Sequence, residues 1–334
     1  MRSAAERQRS KGASARRYPV SDHCDGERFF NADRGAPAGR GWRDVLQWAV
    51  SRRPAPWPRE LNDPPWPFPE TIADGQIAVT FIGHSTFLLR FGGIAILTDP
   101  VWARHAGPFG RMGPRRVRAP GLALDRLPKI DLVLLSHNHF DHLDPGTLAA
   151  VGRRFAPTLV TPLGNAAYVP AGAARAVHEL DWWDVVTITG GARVTAVPAQ
   201  HFAGRTPFDR NRALWAGFVV EHAGRTVCFA GDSGYGAHFA EIGARFGTID
   251  LALLPIGAYD PRWFMHPVHT DPAEAVQAHR DLRAERSVAM HFGTFRLADE
   301  PFDEPVRRLS EWRERLGLAP DVFRVLGVGE TALL

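Results

Sequence analysis

Between Leu132 and His142 the chain reads Leu-Val-Leu-Leu-Ser-His-Asn-His-Phe-Asp-His. His137, His139, Asp141 and His142 set three imidazoles and a carboxylate within six residues. They directly follow an apolar run, Leu132 to Ser136, that has the length and composition of a buried strand. Nitrogen and oxygen donors at this density suit zinc or a similar divalent ion. A strand end is stiff enough to aim them, and the loop beyond it is open enough to admit a substrate. A merely solvated, histidine-rich turn would call for no further donors, yet such donors recur.

Three later apolar runs end the same way. Val194-Thr-Ala-Val-Pro-Ala-Gln200 leads into His201, Val227-Cys-Phe-Ala-Gly231 into Asp232, and Val288-Ala-Met290 into His291. Any one of these alone is a weak signal, because a single histidine is commonly a packed or surface residue. With the first cluster they make seven donors, enough for two adjacent metal ions. The division expected is His137, His139 and His201 on one ion, with Asp141, His142 and His291 on the other. Asp232, whose carboxylate has two oxygens to share, is expected to bridge them. His84 sits on a tight Gly-His turn between strands and reads as a buried, hydrogen-bonded residue supporting the donors.

The elements that must position these donors follow from periodicity and turn chemistry. Ile77 to Ile82, Thr86 to Arg90 and Ile94 to Leu97 are short β-type runs broken by Gly83-His84 and Gly92-Gly93, a meander. Strand-like runs recur at Thr158 to Thr161, Arg193 to Val197, Trp215 to Val220, Thr226 to Ala230, Leu251 to Leu254, Ser287 to Met290 and Val322 to Leu326. Helices are predicted from Pro145 to about Arg154 behind the cap Asp144, and near Ala237 to Phe246. Two more run from Pro272 to Arg283 behind Asp271 and from Glu304 to Leu316, stopped by Gly317. Strands punctuated by helices around one chemistry indicate a single α/β domain over residues 70–334, its sheet layers covered by helices.

At 45% hydrophobic and 23% charged residues over 334, the chain is globular and long enough for a substantial core. A formal charge of +4 is slight for this length and gives no indication of a nucleic-acid partner. Two cysteines, Cys24 and Cys228, cannot form a disulfide framework, which favours a reducing, cytoplasmic compartment. No apolar run approaches the roughly 18 residues of a spanning helix. Residues 1–17 are basic, lack the apolar stretch of a signal peptide, and read as a disordered arm. Residues 18–69 read as an extension draped on the main domain. A short helix is predicted there over Gly41 to Val50, then a proline-rich run, Pro54 to Pro69, interleaved with Trp57, Trp66 and Phe68. Arg111, Arg115, Arg116 and Arg118 share one loop, either a guanidinium cluster for phosphate or a solvated basic loop.

The His-x-His-x-Asp-His signature, with His201, Asp232 and His291 downstream, resembles the metallo-β-lactamase superfamily of binuclear hydrolases. The resemblance implies that family's four-layer αβ/βα sandwich, with metals at the edge between two sheets. Asp99, ending a strand before the signature, is similar to the family's early aspartate and is expected to support the donors from behind. Several stretches are similar, in order, to the N-acylphosphatidylethanolamine-hydrolysing phospholipase D family. They include Phe81-Ile-Gly-His-Ser-Thr86, Leu134 to Asp144, Glu179-Leu-Asp-Trp-Trp183 and Phe229 to Tyr235. Pro255-Ile-Gly-Ala-Tyr259, Pro261-Arg-Trp-Phe-Met265 and His291-Phe-Gly-Thr-Phe295 complete the series. The resemblance implies two divalent ions, zinc foremost, and hydrolysis of a phosphodiester in a phospholipid head group. It also implies that His269 lies near the metals on the substrate side. Phe140 stands where that family has tyrosine, and Val268 precedes His269 where it has a polar residue.

The chemistry expected of such a site is attack by activated water on phosphorus, with the metals offsetting developing charge. Asp141, fixing the metals, and His269, contacting phosphate or leaving group, are the candidate catalytic residues. Phe140, Tyr259, Arg262, Trp263 and Phe264 are candidate substrate contacts, the stretch Pro255 to Met265 forming an apolar wall for acyl chains or glyceride. The partners expected are a phospholipid or other phosphodiester, peripheral contact at the inner membrane face, and a second copy in a homodimer; nucleic acid is not expected. One rival is a sugar-phosphate lactonase-like metallohydrolase, disfavoured by the Asp-Trp-Trp, Pro-Arg-Trp-Phe-Met and His-Phe-Gly-Thr-Phe stretches. The other is a metal-binding scaffold without turnover, disfavoured by the complete donor set.

Overall fold

Side-chain alternation along short strands lets one sheet lie between two apolar layers. The computed structural model describes residues 17–33, 40–188 and 190–334; the predicted basic arm, apart from Arg17, lies outside them. The first sheet takes β1 (Ala78–Gly83), β2 (Thr86–Phe91), β3 (Ile94–Thr98), β4 (Leu132–Leu134), β5 (Thr158–Pro162) and β6 (Ala176–Leu180). The second takes β7 (Val185–Thr187), β8 (Arg193–Val197), β9 (Gly217–His222), β10 (Arg225–Phe229), β11 (Ile249–Pro255), β12 (Ala284–Met290) and β13 (Phe323–Arg324). A last strand, β14 (Thr331–Leu333), crosses back to pair antiparallel with β1. The strand orders are β14-β1-β2-β3-β4-β5-β6 and β13-β12-β11-β10-β9-β8-β7.

Phe81, Phe87, Leu89, Ile96 and Leu134 of the first sheet share one buried core with Val194, Ala196, Phe218 and Val220 of the second. The intervening residues Leu88, Leu97, Val133 and Leu159 belong to a separate core. Its cover comes from Leu148 and Val151 of the helix Pro145–Phe155. That helix is α2 of six among the described residues: α1 (Trp42–Ser51) precedes it, and α3 (His238–Phe246), α4 (Arg262–Met265), α5 (Pro272–Asp281) and α6 (Glu304–Arg315) follow. Phe239 and Ile242 of α3, Val276 of α5 and Leu309 of α6 pack with the second sheet. The result is helix, sheet, sheet, helix: the four-layer sandwich. Both helices flanking the site are set by their first residues. Asp144 accepts from Gly146 N ahead of Pro145, and Asp271 with Glu274 forms a capping box ahead of Pro272.

Several boundaries differ from the periodicity, for identifiable reasons. β4 stops at Leu134 because Ser136 N turns away from the ladder to Asp99 Oδ1 at 2.7 Å. β9 begins at Gly217, since Ala216 N is spent outside the ladder on Ser136 O at 3.1 Å. β6, β7 and β14 are absent from the periodicity reading; they are edge or near-edge strands, five, three and three residues long, with partly exposed side chains. The extension is tied down by Cys24 and Phe29, which enter the main core, and by Trp57 Nε1, which donates to Glu300 O at 3.0 Å. α1 rests on the body through Trp48, stacked on Phe264 at 5.0 Å. Among the described residues no helix is long and apolar enough to cross a membrane.

Candidate metal centre

Parallel pairing of β3 to β6 and of β10 to β13 points their carboxyl ends to one edge, and the candidate donors leave from there. His84 follows β1, Asp99 β3, the His137–His142 loop β4, His201 β8, Asp232 β10 and His291 β12. His269 is the exception, in the loop between α4 and α5. Three of these residues hold a left-handed backbone that L residues adopt at a cost: His84 (φ 61°), Asp99 (φ 31°) and His291 (φ 60°). Hydrogen bonds hold them there, His84 N donating to Thr294 Oγ1 and His291 N to His84 O, both at 2.9 Å. Gly231, at φ 61°, lets Asp232 turn in, because a Cβ there would lie 2.9 Å from the Cβ of Ser136.

The donors form two adjoining nests. In the first, His137 Nε2 and His139 Nδ1 are 2.8 Å apart, and His201 Nε2 is 3.2 Å from the same His139 atom. The outward nitrogens are committed elsewhere. Ser136 Oγ donates to Asp99 Oδ2 at 2.6 Å and accepts from His137 Nδ1 at 2.9 Å, while His201 Nδ1 donates to Val268 O at 2.9 Å. That leaves lone pairs on the inward nitrogens of His137 and His201. Burial first, then neighbouring imidazoles, holds His137 well below the usual range and His139 down to about 3. Burial takes His201 to about 4, despite Asp232. This nest is neutral imidazole.

The second nest mixes imidazole with carboxylate. His142 Nε2 faces Asp141 Oδ2 at 3.3 Å and Asp232 Oδ2 at 3.1 Å; His291 Nε2 faces them at 3.5 and 3.0 Å. His84 Nε2 donates to Asp141 Oδ2 at 2.9 Å, and His142 Nδ1 donates to the fully buried Asp99 at 2.6 Å. Burial opposes charge here, but Asp232 and Asp141 overcome it, raising His142 well above the usual range and His291 to about 9. Against their own burial both carboxylates are held well below theirs, chiefly by His142. The carboxylates therefore demand positive charge, and a divalent cation is the alternative to imidazolium.

Unsatisfied atoms test that fit. His142 Nε2, both ring nitrogens of His291, His269 Nδ1 and Asp232 Oδ1 are buried without a hydrogen-bond partner among the described residues. Donor atoms of His84, Asp141, His142 and His291 lie within 4.8 Å of one another, as do those of His137, His139 and His201, and those of His201, Asp232 and His269. Asp232 Oδ2, 3.7 Å from His201 and about equally far from His269 at 4.0 Å, joins the nests. Nitrogen and carboxylate donors of this kind suit zinc or a similar ion.

The proposed substrate contacts divide. Tyr259 is buried, with its hydroxyl donating to Glu304 Oε1 of α6 at 2.8 Å. Arg262 donates to both Glu274 oxygens at 2.9 and 2.8 Å and to His269 O at 2.9 Å, and so fixes the His269 loop. Phe264 lies under Trp48, while Trp263 is exposed. Nor do the four arginines form one cluster. Arg115 pairs with Glu60 and Arg118 with Asp63, while Arg116 is buried and donates to Val101 O and Ala103 O. Residues not singled out from sequence include Ser136, Asn31, which accepts from His201 N at 3.1 Å, and Arg205. The last donates to Asn138 O and Leu143 O at 2.8 and 2.9 Å with its guanidinium 3.9 Å from the Phe140 ring centre. Ser136 adjoins the signature and could have been suspected; nothing marks Asn31.

Residues 95–292 match the family described as the beta-lactamase superfamily domain. An uncharacterized protein of Mycobacterium tuberculosis is 40% identical over 296 residues, 86% of this chain and 76% of that one. N-acyl-phosphatidylethanolamine-hydrolyzing phospholipase D 1 of Caenorhabditis elegans is 35% identical over 271 residues, 77% of this chain and 76% of the relative. A metallo hydrolase from the archaeon Ignicoccus hospitalis superposes with a TM-score of 0.58 at 24% identity, over 78% of this chain and 98% of that one, a likeness of fold alone. The chain belongs to the metallo-β-lactamase superfamily of metal-dependent hydrolases and, within it, is related to the N-acylphosphatidylethanolamine-hydrolysing phospholipase D proteins.

Proposed function

We propose that this chain is a binuclear, metal-dependent phosphodiesterase of phospholipase D type, acting on N-acylphosphatidylethanolamine-like lipids at the cytoplasmic face of a membrane. The observation that carries it is the pair of adjoining nests joined by Asp232, in a chain related to phospholipase D proteins over most of its length. His137, His139 and His201 would hold one ion, Asp141, His142 and His291 the other, with Asp232 between and zinc the expected metal. Bound there, the ions would supply Lewis acidity toward a phosphoryl oxygen and water activation near neutral pH. Asp99 orients His142 directly and His137 through Ser136, and His84 holds Asp141 by its Nε2–H. His269, kept neutral by burial and steadied through its carbonyl by Arg262, is the residue proposed to meet phosphate or leaving group. Of the aromatic candidates, Phe140 is retained as a substrate contact.

The test is metal analysis joined to product identification on N-acylphosphatidylethanolamine vesicles, a soluble phosphodiester and a lactone. Two metal equivalents and release of phosphatidic acid are expected. Turnover of the lactone alone would falsify the phosphodiesterase reading, and metal without any turnover would leave a binding scaffold.

A further inference from the structure

The extension reaches the metal centre through Asn31. This side chain is 1% exposed, with Oδ1 3.1 Å from His201 N and 3.0 Å from Trp215 Nε1. A backbone N–H and an indole N–H can only donate, so the atom between them is the amide oxygen, accepting from both. We propose that residues 18–33 are a working part of the metal centre, with Asn31 as a positioning residue that fixes the backbone of the donor His201. The proposal rests on the metal assignment made above and on no choice of substrate. His201 needs such a partner because its strand has already ended. β8 stops at Val197, and beyond it Gln200 N turns to Ser233 Oγ at 2.9 Å while Gln200 O accepts from Gly234 N at 2.8 Å. The next N–H, that of His201, is buried beyond the ladder and goes to Asn31.

The His201 ring is held as well, Nδ1 donating to Val268 O, so with Asn31 the donor is fixed at both backbone and side chain. His137 and His142 are supported differently, through Ser136 and Asp99 at the ends of first-sheet strands. The support for His201 instead comes from a segment 170 residues earlier. That segment is anchored firmly enough to hold a position. Cys24 and Phe29 are buried in the main core, and Phe29 N, two residues before Asn31, donates to Asn211 O at 2.8 Å. His23 is stacked on Trp182 at 4.3 Å, with Nδ1 2.6 Å from Asp22 Oδ1 and Nε2 2.7 Å from Asp181 Oδ1. Phe30 N donates to His23 O at 2.9 Å, tying the two limbs of the segment together. Ala32 and Asp33, just beyond, are exposed. Packing alone would be served by an apolar residue at position 31, since burying an amide is costly. The two N–H groups it satisfies are the reason for an asparagine there.

The test compares the full-length protein, metal-free and zinc-loaded, with Asn31→Leu, Asn31→Asp and Trp215→Phe. Asn31→Leu keeps the bulk and removes the acceptor. In the metal-free variant the His201 amide should lose its protection from hydrogen exchange. Competition with a chromophoric chelator should show one zinc equivalent held about 10-fold or more weaker and the other unchanged. Asn31→Asp keeps an oxygen acceptor for both N–H groups and should restore most of that affinity, a rescue that packing alone does not give. Trp215→Phe removes the second N–H but leaves the bond to His201, so its zinc affinity should match the parent's. Unchanged His201 protection together with unchanged zinc affinity in Asn31→Leu overturns the proposal. A Trp215→Phe variant that loses as much affinity as Asn31→Leu also overturns it, because the loss would then follow docking of the segment and not the bond to His201. A parent that takes up no metal would sink the centre assigned above, whereas loss of His201 protection in Asn31→Leu would still support the positioning contact.

Discussion

The two nests differ more than their shared edge of the sandwich suggests. His137, His139 and His201 meet with Asp232 only at their margin, 3.7 Å from His201, and burial keeps all three neutral. Their neighbours His142 and His291 face two carboxylates, which lift them against the same burial. The same side chain behaves differently because His142 and His291 have carboxylate oxygens at 3.0 to 3.5 Å, whereas His201 has one only at 3.7 Å. A cation entering the first nest finds neutral lone pairs, whereas in the second it finds negative charge and must displace protons. The mixed nest should therefore bind its ion with the steeper pH dependence.

The largest effect should come from Asp232, which belongs to both nests. Asp232→Ala should lower metal content at both positions and kcat/KM by at least about 10^3. Metal analysis showing two retained equivalents would break the bridging assignment. A smaller effect should separate the nests. Ser136→Ala removes only the link from Asp99 to His137, while Asp99→Asn also loosens the direct bond to His142. Metal affinity should fall about 10-fold or more in each, with one equivalent affected by the serine variant and both by the aspartate variant. Competition with a chromophoric chelator reads the two equivalents separately; identical titrations for the two variants would contradict that order.

The smallest effect separates acid release of metal from acid damage to the fold. His279 of α5 is bonded through Nδ1 to Ser287 Oγ of β12 at 2.8 Å and belongs to neither nest. Burial, then Arg280, lowers its pKa from 6.5 to about 4. The unfolded chain thus takes up this proton first. The stability it contributes is intact above about 6.5 and is lost as pH falls through about 4. Metal-free protein should melt lower by about 2–4 °C across that window from this group alone, and His279→Phe should flatten that part of the profile. A variant that tracks the parent in acid would remove His279 from the account.

Much of the candidate site was legible because strand ends leave a simple trace: an apolar run, then a donor. That trace marked the His137–His142 loop, His201, Asp232 and His291, and the meander turn marked His84. It failed where chemistry depends on direction. Tyr259 and Arg262 carry suitable groups for a substrate, but Glu304 and Glu274, 45 and 12 residues on, turn them to structural use. Edge strands β6, β7 and β14 failed for the opposite reason: too short and too exposed to leave a period.

What the sequence determined by itself was the candidate donor set and its attachment to strand ends, because hydrophobic alternation and ligand spacing are local properties of the chain. The tertiary structure alone decided which imidazoles share a nest, which are left neutral and which face carboxylates. Those outcomes depend on contacts between residues tens to hundreds of positions apart, and burial and charge act through space, not along the chain.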